Sequence, residues 1–172
     1  MRIEIQPGDT AWPIAEPLFM SVWPPQVREK LAWGAVSFAY AEHRVLVWED
    51  GPELVGHVGF QLRNASWNGG AVTIGGIGGV ITRDGHRRRG IATAAIERAV
   101  AALADSGADF AMLFCEPHNF GFYRGLGWVE FTGQVFCEQP AGRIRFDVMT
   151  PFVRDLGCAP RDGIIDLCGR PW

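Results

Sequence analysis

The chain has 172 residues, 48% hydrophobic and 20% charged, a balance that gives a folded globular protein a real core and excludes a disordered one. Its net charge of −3 argues against a general nucleic-acid binder, and no apolar run is long enough to span a membrane. One domain over residues 1–172 is expected, in the cytoplasm. The opening MRIEIQPGDT carries no secretory pattern, and Cys115, Cys137, Cys158 and Cys168, scattered without a Cys-x-x-Cys pair, read as buried free thiols.

Arg2 to Gln6 alternates as a short strand closed by Pro7-Gly8. Asp9 or Thr10 is placed to cap a helix to about Val22, with Pro13 and Pro17 limiting its regularity. Pro24-Pro25 breaks the chain and opens a second helix through Trp33, ended by Gly34. Trp12, Phe19, Trp23, Trp33, Phe38 and Tyr40 crowd this region. Packing against a sheet is their default role, with a minority left to line an acceptor pocket. Arg44 to Glu49 and Leu54 to Arg63 form a hairpin around Asp50-Gly51-Pro52. His57, in its second strand, reads as a satisfied core histidine.

Asn68-Gly69-Gly70 turns the chain into a glycine-interrupted strand, Val72 to Thr82. Its apolar phase slips from Val72 and Ile74 to Ile77 and Ile81, as one extra residue would make it, and Gly75, Gly76, Gly78 and Gly79 suit a bulge or a close backbone approach. A polar turn ends in Arg87-Arg88-Arg89-Gly90-Ile91-Ala92, after which Ala92, Ile96, Ala99 and Leu103 mark one helix face. Strand, basic turn and helix make an anion site, because the first helical N–H groups lack intrahelical partners and the macrodipole adds positive charge there. A dinucleotide fingerprint begun at Gly76 and Gly78 would need a glycine at Ile81, and no Gly-Lys-Ser/Thr supplies a P-loop.

Asp105-Ser106-Gly107 stops the helix, and Ala108 to Cys115 is the apolar run of a buried strand. Glu116-Pro117-His118-Asn119 then leads into a short helix carrying Phe122-Tyr123, followed by Leu126-Gly127-Trp128. Cys115 and His118 are too few for a zinc site, and no metal is expected. Val129 to Phe136 and Gly142 to Val148 read as late strands before a tail ending at Trp172.

The spacing Arg87, Gly90, Ala92 fits Arg/Gln-x-x-Gly-x-Gly/Ala. Placed directly after a bulged strand, it resembles the acetyl-CoA pyrophosphate loop of the GNAT N-acetyltransferases. The Tyr123 helix and the Leu-Gly-Trp that follows resemble that family's second landmark, in the right order. The resemblance implies an α/β fold of α+β layers: a central mixed, mostly antiparallel sheet with a bulged strand and flanking helices. It implies acetyl-CoA as cosubstrate, bound by Arg87, Arg88, Arg89, Gly90, Ile91 and Ala92 and by the backbone of Val80 and Thr82. The Val80 N–H would face the thioester oxygen, and Tyr123 would protonate the departing thiolate.

The late segment and the final tryptophan are similar to the aminoglycoside 2'-N-acetyltransferase branch, kasugamycin type included. The implied partner is a primary amine of an amino sugar, an antibiotic-resistance activity, with no nucleic acid or membrane partner and a homodimer left open. In that branch the final Trp carboxylate, here on Trp172, binds the sugar. Asp147, Asp166 and Glu116 are the acidic groups nearest the motifs or the tail and are expected in the acceptor wall. One departure matters: the branch's general-base glutamate falls on Gly78. Glu116 and His118 are the nearest replacements in sequence. Two alternatives stay open. One is a non-catalytic acyl-CoA-binding protein, favoured by the missing glutamate and opposed by Tyr123. The other is a GNAT enzyme acting on a peptide or another amine.

Overall fold

The computed structural model describes all 172 residues. Strand β1 (Arg2–Pro7) pairs antiparallel with β2 (His43–Trp48), and β2 with the first half of the long β3 (Leu54–Trp67). β3 runs antiparallel to β4 (Gly70–Thr82), while β4 meets β5 (Phe110–Cys115) in parallel over Ile74–Gly76 alone. β5 continues antiparallel to β9 (Thr150–Asp155), and β9 to β6 (Val129–Glu130). The far end of β3 carries another arm: β10 (Ile164–Asp166), then β7 (Gln134–Gln139), then β8 (Gly142–Arg145). The sheet is thus mixed and mostly antiparallel, as the resemblance implied.

Helices α1 (Gly8–Val22) and α3 (Ile91–Asp105) cover opposite faces. Val45 and Val47 of β2 join the core under α3, whereas Leu46 and Trp48, between and after them, join the cluster under α1. Alternation along a strand requires that division. Ile91, Ala95, Ile96, Ala99, Val100 and Leu103 form the buried stripe of α3. Gly75 and Gly76 sit back to back on β4. A Cβ on Gly75 would press on Leu103 of α3, and one on Gly76 would collide with the Trp172 indole.

Three local expectations are corrected. No side chain caps α1, and Asp9 and Thr10 lie within its first turn. The Gly8 N–H is satisfied instead by the Glu42 carbonyl at 2.7 Å, because β1 pairs with β2 right up to Pro7. Pro13 and Pro17 sit inside the helix without ending it, both on its exposed side, where the carbonyls they free can reach water. The second helix is one turn, α2 (Pro25–Arg28), and buries no residue, so packing gives it no reason to continue to Trp33.

Strand β9 was not expected, since Pro151 within it weakens a strand signal. β6 pairs only with Phe152 and Val153, so the ladder does not need the N–H that Pro151 lacks. Of the four cysteines, all free, Cys115 and Cys137 are buried as expected, but Cys158 and Cys168 are exposed. Short helix α4 (Phe120–Gly125), after a 3-10 turn at Pro117–Asn119, carries Tyr123 into the core beside Trp128 and Phe152.

The face-to-face packing of Gly76 and Trp172 makes a direct test. Gly76→Val should lower stability by about 1–3 kcal/mol through overpacking. In urea titrations Trp172→Ala should restore part of that loss in the double variant, although alone it destabilises. Additive effects would mean that the two residues do not share space.

Candidate active site

The site begins where β4 leaves both neighbours' regular spacing. Opposite β3, Gly59 faces Gly78 while His57 faces Ile81, so β4 holds one residue more than β3 across this interval. That is the bulge implied by the slipped apolar phase. Gly79, at φ 57°, supplies the left-handed backbone it needs. Beyond Gly76 no pairing to β5 continues, so the stretch from Ile77 to Thr82 keeps a hydrogen-bonding edge open on that side.

At the end of this edge the chain passes through the basic turn into α3. Gly90 at φ 78° is the residue before the helix, and no side chain caps the helix N-terminus. A Cβ on Gly90 would meet no protein atom within 4 Å, so the backbone angle, not crowding, requires glycine here. Arg87 pairs with Asp84 at 2.9 Å, and Arg89 pairs with Glu49 at 2.9 Å. Glu49 also accepts from His86 Nδ1 at 2.6 Å. The Arg87–Asp84 pair is exposed, worth little and easily exchanged for another anion, whereas Glu49 is half-buried between His86 and Arg89. Arg88, at φ 61°, takes part in no ion pair.

Beside the bulge lies a buried polar network that also borders a cavity. His57, fully buried, donates from Nδ1 to the Gly79 carbonyl at 2.7 Å and accepts at Nε2 from Arg44 at 3.1 Å. Burial pushes the imidazole down to about 3; the Gly79 bond opposes that shift and the Arg44 charge adds to it. Arg44 is 4% exposed and lies over the rings of Trp12 and Tyr40, at 4.8 and 4.9 Å from their centroids. Its Nε donates to the Gly8 carbonyl at 3.3 Å. A buried guanidinium without a carboxylate is held here by aromatic faces and main-chain oxygen. His57 is the satisfied core histidine the sequence suggested, but its hydrogen bond goes to the bulge itself.

The cavity, of about 760 Å³, borders both the bulge and this network. It is lined by Gly78, Gly79 and Val80, by Tyr123 and Glu116, and by Trp12, Phe19, Trp23, Trp33, Phe38 and Tyr40. All six N-terminal aromatics therefore border it, not a minority. They join edge to face, from Tyr40 through Trp12, Phe19, Trp23 and Trp33 to Phe38, with centroid spacings of 5.2–6.2 Å. Their common role is invisible in sequence because the irregular segment after α2 brings them together. Burial raises the Tyr123 phenol above its ordinary value, as does nearby Cys115, so the hydroxyl keeps its proton at neutral pH. Burial likewise pushes Cys115 up to about 12 and keeps it a thiol.

The expected acidic wall is not assembled. Glu116 is the one acidic side chain lining the cavity. Asp147 is exposed and does not border it. Asp166 also lies elsewhere, accepting from Arg143 at 2.6 Å and from the Cys168 N–H at 2.9 Å. Burial alone would raise Asp166, but these two bonds outweigh it and hold the carboxyl low. His118 is exposed in the 3-10 turn and points no ring into the cavity wall. Trp172 does reach the cavity. Its indole N–H donates to the Met112 carbonyl at 2.9 Å, and a Cβ on Gly78 would lie 2.6 Å from its carbonyl carbon. The tail therefore occupies the space beside Gly78.

A sheet that parts beside a bulge, with a helix N-terminus at the end of the opened strand, defines a class of acyl-transfer fold. The family model for the acetyltransferase (GNAT) domain matches residues 7–131, and the chain belongs to that family. Its structure is similar to a GNAT family N-acetyltransferase, YhbS, from Escherichia coli in complex with CoA, at TM-score 0.65 and 14% identity over 97% of this chain and 89% of that one. It is also similar to a GNAT family acetyltransferase from Brucella melitensis in complex with acetyl-CoA, at TM-score 0.55 and 19% identity over 95% and 94%. A third likeness is to Escherichia coli ElaA, at TM-score 0.61 and 14% identity over 90% and 99%. At these identities the likeness establishes the fold. None of the curated proteins matches the sequence.

The depressed His57 value gives a signed prediction. The unfolded chain takes up a proton near the ordinary histidine value of 6.5, whereas the folded one takes it up only near 3. The contribution is complete above pH 6.5 and is lost as pH falls toward 3, by about 1.4 kcal/mol per pH unit for one proton. Urea titrations between pH 7 and 4 should show this slope, and His57→Asn should lessen it by about one proton.

Proposed function

We propose that this protein transfers the acetyl group of acetyl-CoA to a primary amine of a small molecule within one ternary complex. The observation that carries the proposal is the open β4 edge, which joins the uncapped N-terminus of α3 at one end to the Val80 N–H and the buried Tyr123 hydroxyl at the other. The free N–H groups after Gly90 and the Arg87, Arg88 and Arg89 side chains suit a pyrophosphate. The Val80 and Thr82 backbone suits an amide-bearing arm laid along it like an added strand.

In this reading Glu116 takes a proton from the acceptor ammonium, directly or through one water. The freed nitrogen attacks the thioester carbon, and the Val80 N–H stabilises the negative oxygen that forms. The carbon–sulfur bond then breaks, Tyr123 gives its phenolic proton to the sulfur, and the second proton leaves the acylated nitrogen through water and restores the phenol. At neutral pH the phenol holds the proton to be given, and burial, which raises its pKa, makes it a weaker donor than an exposed phenol.

For the acceptor, the lining favours an amine carried on a flat apolar or aromatic body. Ten aromatic side chains and a single carboxylate side chain line the cavity and offer stacking and a cation partner. The amino-sugar reading, kasugamycin and other aminoglycosides included, is second. Trp172 at the cavity speaks for it, and the absence of Asp147 and Asp166 from the wall speaks against it.

Incubation with acetyl-CoA and a mixed amine panel (arylalkylamines, aminoglycosides, kasugamycin and peptides), read by mass spectrometry, tests the function. Acetylation of arylalkylamines is expected. Acetylation of amino sugars alone would restore the second reading. No product with retained acetyl-CoA binding would leave a non-catalytic binder.

Gly90→Glu and Gly90→Ala share the backbone strain of a left-handed residue, and only glutamate adds negative charge at the helix N-terminus. Calorimetry should show acetyl-CoA binding lost in Gly90→Glu and largely kept in Gly90→Ala. Tyr123→Phe should lower kcat by roughly 10²–10⁴-fold with little change in KM for acetyl-CoA, since the hydroxyl acts in the transition state. Full activity would make Tyr123 a packing residue.

A further inference from the structure

We infer that His57, oriented by Arg44, is a positioning residue that fixes the direction of the Val80 N–H and thereby its stabilisation of the thioester oxygen. The inference rests on the acetyl-transfer function proposed above. Gly79 and Val80 share one peptide unit in the bulge, where the register with β3 is interrupted. Glycine at φ 57° has no Cβ to resist rotation of that unit, so the strand alone leaves it weakly held. The Gly79 carbonyl is tied down by His57 Nδ1 at 2.7 Å. The peptide is trans, so its N–H points opposite to its C=O. Anchoring the oxygen on the His57 ring therefore fixes the Val80 N–H pointing away from that ring, at a residue that lines the cavity.

Arg44 makes this arrangement single-valued. A guanidinium can only donate, so its 3.1 Å contact with Nε2 requires the lone pair there. The one imidazole proton must then sit on Nδ1 and point at Gly79. Trp12, Tyr40 and the Gly8 carbonyl hold Arg44 in that place. No other residue in the chain donates a side-chain bond to the bulge carbonyl.

The first test is the tautomer. Nitrogen-15 spectra of the wild-type protein at neutral pH should show His57 neutral with the proton on Nδ1, and the Nε2–H tautomer or an imidazolium would overturn the inference. The second uses variants checked for folding by circular dichroism. His57→Asn keeps an amide donor near the Nδ1 position, and His57→Leu does not. His57→Leu should lower kcat by about 10²–10³-fold, the cost of losing an oxyanion donor, with acetyl-CoA affinity unchanged within about threefold. His57→Asn should recover most of that loss. Equal losses in both variants would overturn the inference.

The third reads the bound cosubstrate without turnover. Infrared difference spectra of carbonyl-labelled acetyl-CoA should show the thioester stretch lowered on binding to wild type and returned toward its solution value in His57→Leu. An unlowered stretch in wild type would overturn this inference while leaving acetyl-CoA binding intact. Failure of wild type to bind acetyl-CoA would instead overturn the proposed function, and the inference with it.

Discussion

One extra residue in β4, inserted beside strands that pair in parallel for three residues only, is the constraint on which the site depends. A regular β4 would continue its ladder with β5 and leave no free edge. The bulge turns one peptide unit out of register, and the short parallel contact leaves the next six residues without a β5 partner. From that follow an open main-chain edge, a cavity beside it, and a path for the C-terminal tail across the point where the strands part.

The electrostatics of the site combine oriented dipoles with few charged side chains. The α3 N-terminus offers backbone N–H groups, and in the basic turn beside it Arg87 and Arg89 are held in ion pairs. Deeper in, Arg44 is stabilised by aromatic faces and a carbonyl, and His57 is neutral because burial outweighs its hydrogen bond. A low-dielectric site strengthens fixed dipoles and penalises loose charge. The cavity lining is mostly uncharged as well, with ten aromatics and one carboxylate side chain.

The tail and the glycines of β4 are one packing solution. Gly76 and Gly78 have no side chains on the face where Trp172 lies, and the indole N–H closes the arrangement by bonding β5 at Met112. Pro171 and Arg170 are held further back by the Ala39 N–H and by Arg63. Removing a side chain from position 78 thus makes room for chain from the other end of the sequence. It also leaves Glu116 as the carboxylate side chain at hand.

The sequence by itself determined the elements whose signal is local. The slipped apolar phase of Val72 to Ile81 located the bulge, and the spacing of Ala92, Ile96, Ala99 and Leu103 located α3, because each depends on neighbours along the chain. The order of the basic turn and Tyr123 was enough to suggest the family. What only the tertiary structure decided depends on residues far apart in sequence. Arg44, His57 and Gly79 meet because strand register places them side by side, and no spacing encodes that meeting. The aromatics of residues 12–40 converge through an irregular segment with no periodicity to read. Asp147 and Asp166 carry the right charge for an acceptor wall, but the β7–β8–β10 arm takes Asp166 to Arg143 and leaves Asp147 in solvent. Charge can be read from a sequence, whereas the direction a side chain faces is set by the packing of the whole sheet.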